Sequence, residues 1–167
     1  MGINSDNLTR LTTNTATDEQ PAWSPDGTKI AYTSTVSGNA EIFVMNADGT
    51  GKVNVTNNSA EESGVSWSPD GTQIAFMSTR AGNPEIYRAN ANGSGTPTQL
   101  TNSQRIDSDP DWSPNGTKIA FFSDRGAKGS VWTINASNGS SAVNLTKASI
   151  RDTDPSWSPD GTRIAFS

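Results

Sequence analysis

Trp-Ser-Pro-Asp-Gly-Thr occupies residues 23–28 and returns unchanged at residues 67–72 and 157–162, and residues 112–117 differ from it by one Asn in place of Asp. The four tryptophans follow one another at intervals of 44, 45 and 45 residues. A fixed period of this length indicates an array of repeated structural units. Because one unit of such an array rarely buries its apolar face alone, we expect neighbouring units to stack.

Each period predicts four short antiparallel strands. In the second repeat, residues 65–68 alternate between polar and apolar side chains, and residues 69–71 have the Pro-Asp-Gly composition of a tight turn. Further strands are predicted at residues 73–78, 85–89 and 98–101, each preceded by a turn rich in Gly, Asn or Pro. Four such strands per period are typical of a propeller blade, so the sequence predicts an all-β propeller.

The repeated motif continues beyond the hexapeptide with Ile-Ala, Ser-(Thr/Asp)-Arg-x-Gly, Glu-Ile-(Phe/Tyr) and Leu-Thr. This pattern resembles the TolB-like, WD40-like (PD40) β-propeller repeat, and it covers nearly the whole chain. Gly64, Val65 and Ser130 are its modest departures. The resemblance implies a binding platform of the TolB kind or a gating domain of the kind found in some peptidases, together with a periplasmic or extracellular location.

We predict one repeat array over residues 1–167. Its blades are expected at about residues 20–57, 64–102 and 109–147, and a fourth blade is expected to be split between residues 1–12 and 154–167. In the N-terminal part, residues 8–12 are predicted to be an outermost strand, and residues 2–7 are predicted to be the tail of a third strand.

Closure of the ring is the open question of the predicted architecture. A closed propeller normally has about four to eight blades, and open ends expose sheet edges. We predict a homo-oligomer, in the first place a dimer that forms an eight-bladed ring by strand exchange between termini. A four-bladed monomer, a helical filament and a truncated fragment are the alternatives.

Composition excludes several classes of function. The chain has 17 acidic and 12 basic residues, and this net charge of −5 argues against nucleic acid as a partner. There is no histidine and no cysteine, which rules out Ser-His-Asp and Cys-His nucleophiles, so no enzyme activity, catalytic residue or cofactor is predicted. No apolar run is long enough to span a membrane, and residues 1–6 do not resemble a signal peptide.

An acidic side chain lies five residues before each repeated tryptophan. These positions are predicted to face the central channel: Asp18, Glu62, Asp107 and Asp152. Asp109 and Asp154 add a second carboxylate, so Asp107, Asp109, Asp152 and Asp154 are candidate ligands for Ca²⁺. The alternative is that each acid caps a local turn through backbone N–H groups.

The repeated tryptophans have two possible roles. Their constant place in a predicted core strand favours packing between blades, and sugar stacking is the alternative, for Trp23, Trp67, Trp112 and Trp157. The predicted function is therefore a non-enzymatic scaffold that self-assembles and binds a protein or peptide on its loop face or in its channel. A structural subunit of a filamentous surface assembly and an accessory propeller of a larger hydrolase remain alternatives.

Overall fold

The computed structural model of the protein describes residues 8–126, 128–147 and 151–167. These residues form three four-stranded antiparallel sheets and one two-stranded sheet, which confirms the predicted all-β architecture of four-stranded blades. In this part of the chain no helix occurs that could cross a membrane. The predicted third-strand tail at residues 2–7 lies outside the described residues.

The strands follow the order of the chain within each sheet, from the inner strand to the outer strand. The first blade contains β1 (Asp18–Trp23), β2 (Lys29–Ser34), β3 (Glu41–Asn46) and β4 (Val53–Asn54). The second contains β5 (Glu62–Trp67), β6 (Gln73–Ser78), β7 (Glu85–Asn90) and β8 (Thr98–Gln99). The third contains β9 (Asp107–Trp112), β10 (Lys118–Ser123), β11 (Ser130–Asn135) and β12 (Val143–Asn144). The fourth sheet consists of β13 (Ser156–Trp157) and β14 (Ile164–Ala165).

The repeated hexapeptide forms the hairpin between the two inner strands of each blade. In the second blade the Gly71 amide donates to the Ser68 carbonyl at 2.9 Å, and Gly71 adopts a φ of 69°. The Asp70 carboxylate accepts hydrogen bonds from the Ser68 hydroxyl at 2.6 Å and from the Thr72 amide at 3.0 Å. These bonds lower the pKa of Asp70 and fix the turn. The aspartate of the motif therefore has a structural role in the hairpin.

The core lies between blades rather than within one. Ala31, Ile42 and Val44 of the first blade pack with Ile74 and Phe76 of the second. A second cluster joins the second blade to the third in the same manner. Stacking of neighbours therefore buries the apolar faces, as expected for a repeat array.

A left-handed residue bends the inner strand of each of the three complete blades, and the equivalent residue precedes the inner strand of the fourth sheet. The residue three before each repeated tryptophan has a positive φ, namely Gln20, Gly64, Asp109 and Asp154. The strand pairing shifts in register around this residue in the three complete blades. Only glycine adopts this conformation without steric cost, and each other side chain pays about 1–2 kcal/mol.

No strand occurs between residue 8 and Asp18. The predicted outermost strand at residues 8–12 stays a prediction, since its predicted partner at residues 2–7 lies outside the described residues. An outer strand needs a third strand to pair with, and no such partner occurs among the described residues. Leu11 packs against Ile30, Tyr32 and Met45 on the first blade, in the place that Val55 takes beside the second blade.

Candidate functional site

The inner strands of all four sheets line one groove, which we call the inner groove. It has a volume of about 470 Å³. Its walls consist of Ala22, Trp23, Pro25, Gly64, Val65, Ser66, Trp67, Asp109, Pro110, Asp111, Trp112, Asp154, Pro155 and Ser156. The left-handed residues of three blades are among them, so the bend in the inner strand shapes this surface.

The inner groove is acidic. Asp109, Asp111 and Asp154 line it, and no lysine or arginine is among the lining residues. The Asp109 carboxylate accepts a hydrogen bond from the Ser108 hydroxyl at 2.7 Å, and the Asp154 carboxylate accepts one from the Thr153 hydroxyl at 2.7 Å. A concave surface with charges of one sign and little counter-charge attracts ligands of the opposite sign.

Asp111 links three blades and was not singled out from the sequence. Its carboxylate accepts the Trp157 amide at 2.6 Å and the Ser66 hydroxyl at 3.3 Å. Ser66 in turn accepts the Trp112 amide at 3.0 Å. Burial raises the pKa of the Asp111 carboxyl, and these hydrogen bonds oppose that rise. The signal that could have found it is its place directly before a repeated tryptophan, where the other blades have Ala or Ser.

The four acids predicted to face the central channel lie five residues before each tryptophan, and they differ in how far they are buried. Glu62 and Asp107 are fully buried, Asp152 is nearly so, and Asp18 is half-buried. None of the four lines the inner groove. The left-handed residue two positions later breaks the regular alternation of the strand, so the acid turns into the blade while Asp109 and Asp154 face the groove.

Two of these buried acids form ion pairs. Arg80 donates to Glu62 at 3.1 Å, and Arg125 pairs with Asp107 in the next blade. Asn58 and Ser78 also donate to Glu62. The hydrogen-bond donors to the Glu62 carboxylate are therefore side chains. The turn-capping alternative predicted backbone N–H donors instead.

The Ca²⁺ hypothesis for Asp107, Asp109, Asp152 and Asp154 stays a prediction. Within residues 8–126, 128–147 and 151–167, no group of three or more acidic, histidine or cysteine side chains is placed to hold a metal ion. Asp107 already pairs with Arg125, and this leaves Asp109 and Asp154 as the members that face the groove.

The four repeated tryptophans do not share one environment. Trp67 and Trp112 are buried between blades, and the Trp67 indole N–H donates to the Ala22 carbonyl of the first blade at 3.0 Å. Trp157 is half-buried. Trp23 is 61% exposed and lies at the edge of the inner groove.

Two further buried acids hold the connections between blades. Glu41 accepts the Asn58 amide at 2.7 Å, and Glu85 accepts the Ser103 amide at 2.6 Å. Burial raises the pKa of Glu41, and the nearby Glu62 carboxyl contributes to that rise. Both acids begin the third strand of their blade, which is a visible signal in the sequence, and Ser130 replaces them in the third blade.

Comparison with known families and structures agrees with this architecture. The PD40 model, a TolB β-propeller domain, matches residues 55–167, and the model of the dipeptidyl peptidase IV N-terminal region matches residues 2–94. TolB from Acinetobacter baumannii is 29% identical with a TM-score of 0.83, and 93% of this chain covers 39% of it. A puromycin hydrolase is 18% identical with a TM-score of 0.75, and the match covers 95% of this chain and 26% of the hydrolase. At this identity the likeness shows the fold alone.

The putative TolB from Agrobacterium tumefaciens is 30% identical with a TM-score of 0.82 over 92% of this chain. The chain spans 56% of the length of that protein. The family model matches more than half of the chain, and the two TolB structures share its fold. The chain therefore belongs to the TolB-like PD40 β-propeller family.

Proposed function

We propose that this chain is a non-enzymatic binding scaffold whose inner groove holds an extended, basic segment of a protein or peptide. The observation that carries the proposal is the charge of the groove: Asp109, Asp111 and Asp154 line it without a basic side chain. By its family, the scaffold works in the periplasm or outside the cell.

The absence of histidine and cysteine from the sequence supports a binding role over an enzymatic one. The Asp111 carboxylate already accepts the Trp157 amide and the Ser66 hydroxyl. Asp109 and Asp154 are consequently the carboxylates that we assign to the ligand. An accessory propeller of a larger hydrolase would use the same groove to admit substrates.

A peptide titration tests the proposal. We expect an eight-residue peptide of alternating lysine and glycine to change Trp fluorescence saturably, and an Asp-Gly peptide of equal length to leave it unchanged. Asp109→Asn with Asp154→Asn should weaken binding about tenfold, because exposed ion pairs each contribute a fraction of a kcal/mol to about one. Raising the ionic strength should weaken it further.

The matched control removes two charges outside the groove. Asp48→Asn with Glu61→Gln changes two exposed acids that do not line the groove, so it should preserve the affinity. Equal binding of the acidic peptide, or an equal loss of affinity in the control, would contradict the assignment of Asp109 and Asp154.

We also propose that two copies associate through the exposed face of the first blade. Along the array, the turn glycine of each later blade lies against the turn proline of the blade before it, as Gly71 does with Pro25 and Gly116 does with Pro69. Gly27 has no such neighbour among the described residues. A second copy that presents Pro159 to Gly27 would repeat this contact and would cover Trp23.

Light scattering over a concentration series tests this association. We expect the mass of a dimer, and we expect Trp23→Ser to shift the population towards the monomer, because burial of an exposed indole stabilises association by about 25 cal/mol for each Å². Val143→Ser, on an exposed outer strand, should leave the mass unchanged. A monomer at every concentration contradicts the proposal.

A further inference from the structure

In the second blade, the Arg80 guanidinium packs over two aromatic rings and pairs with a buried acid. Its guanidinium carbon lies 5.6 Å from the ring centre of Phe76 and 4.9 Å from that of Tyr87. The same guanidinium donates to the buried Glu62 carboxylate at 3.1 Å. One cation thus neutralises a buried acid while it rests on two aromatic rings.

The third blade repeats this arrangement with different residues. The Arg125 guanidinium carbon lies 5.7 Å from the Phe121 ring centre and 5.1 Å from that of Trp132. It pairs with Asp107. Since the acid, the two rings and the cation recur together, they form one unit of the blade design.

The first blade has the acid and the rings of this unit without its arginine. Asp18 stands in the place of Glu62, and Tyr32 and Phe43 lie with their ring centres 5.9 Å apart. Val36 takes the place of Arg80 and is 50% exposed. One carboxylate oxygen of Asp18 accepts a hydrogen bond from Asn14 at 3.2 Å. The other oxygen is buried, and no described residue donates to it.

A cavity of about 180 Å³ adjoins this carboxylate. We call it the Asp18 site; its lining includes Asp18, Glu19, Tyr32, Leu11, Ile30 and Met45. Two carboxylates and an aromatic ring line it, and no lysine or arginine does. The site is separate from the inner groove, because the two share no lining residue.

We propose that the Asp18 site binds the guanidinium group of an arginine side chain that a partner protein or peptide supplies. The planar guanidinium can lie on the Tyr32 ring and donate to the unpaired Asp18 oxygen, as Arg80 does with its own rings and acid. A compact ammonium group lacks the flat face and the forked donors, so lysine is the weaker ligand.

The position is reachable from solvent. Arg80 and Arg125 retain side-chain exposures of 21% and 22%, although a preceding blade packs against each of their sheets. Solvent therefore reaches the position of the guanidinium group at the rim of the interface between two blades. The corresponding position in the first blade would stay accessible if another blade packed against it.

NMR titration with N-acetyl-arginine amide tests the proposal. We expect saturable shifts of the Asp18 and Tyr32 amides, and we expect the neutral isostere N-acetyl-citrulline amide to bind about tenfold more weakly. Free arginine serves as a second probe. If free arginine and N-acetyl-arginine amide bind equally well, the site recognises the side chain alone, as in a peptide. If free arginine binds more tightly, the ligand is a small molecule. Either result supports a guanidinium site.

Three substitutions at Val36 and Asp18 test the proposal further. Val36→Arg should supply the cation from the chain itself, so it should raise the melting temperature and abolish the shifts, whereas Val36→Met should preserve them. Asp18→Asn should weaken the probe about tenfold while the protein stays folded. Equal binding of arginine and citrulline, or unchanged binding in Val36→Arg, overturns the proposal. Neither result depends on whether a basic peptide occupies the inner groove, since the reporting residues differ.

Discussion

Gly139→Ala is expected to destabilise the chain by more than about 4 kcal/mol, beyond the range of most single substitutions. A Cβ atom at this position would lie 1.8 Å from the carbonyl oxygen of Leu100 and 2.7 Å from its carbonyl carbon. Those atoms belong to the backbone beside the second blade and cannot rotate away. Relief of the clash requires the turn between β11 and β12 to separate from that blade.

Gly27→Ala is the matched control for this substitution. Gly27 has a φ of 70° and Gly139 has a φ of 71°, so an added methyl group meets the same backbone penalty at both. Apart from its two chain neighbours, no described residue has an atom within 4 Å of a Cβ at Gly27. We expect Gly27→Ala to cost about 1–2 kcal/mol.

Thermal unfolding followed by circular dichroism compares the two variants. A chain of this size loses roughly 2–4 °C of melting temperature for each kcal/mol, so Gly139→Ala should melt about 10 °C or more below the parent and clearly below Gly27→Ala. Equal melting temperatures of the two variants would show that the close approach of Leu100 does not matter.

Arg80→Met is expected to cost about 2–3 kcal/mol. The substitution keeps a long side chain over Phe76 and Tyr87 but leaves the fully buried Glu62 without its cation. Breaking a buried pair costs about 3–5 kcal/mol, and the partial exposure of Arg80 reduces that figure. Asn58 and Ser78 continue to donate to Glu62 and should limit the loss further.

Chemical denaturation with a matched arginine measures this effect. Arg88 donates to the amide oxygen of Gln73 at 3.0 Å and forms no ion pair in the described residues, so Arg88→Met should cost less than about 1 kcal/mol. Adding Glu62→Gln to Arg80→Met should restore part of the stability, because it removes the unpaired charge. A double variant less stable than Arg80→Met alone is the opposite result and would show that the charge is not the cause.

The repeated hexapeptide made the blades predictable from sequence, because its turn chemistry acts locally. Ser68, Asp70 and Gly71 contact one another within a few residues, and no tertiary information is needed to place the hairpin. The burial of Trp67 and Trp112 follows from the same regularity.

The direction of the acidic side chains was not predictable in the same way. A regular strand would place Asp107 and Asp109 on one face, but the left-handed Asp109 sends the two carboxylates to different places. The role of Asp111 depends on Ser66 and Trp157, which lie in other blades and are brought close by stacking. The predicted strand at residues 8–12 depends on pairing with a strand outside the described residues, which local pattern cannot supply.

The bend of the inner strands has a consequence for how such chains diversify. The backbone takes the left-handed form with glutamine, glycine or aspartate at the bend, so the frame does not dictate the identity of that residue. A mutation there can alter what the groove recognises one module at a time while the stacking of modules is preserved. Each blade can thus contribute a different contact to a ligand while the scaffold stays the same.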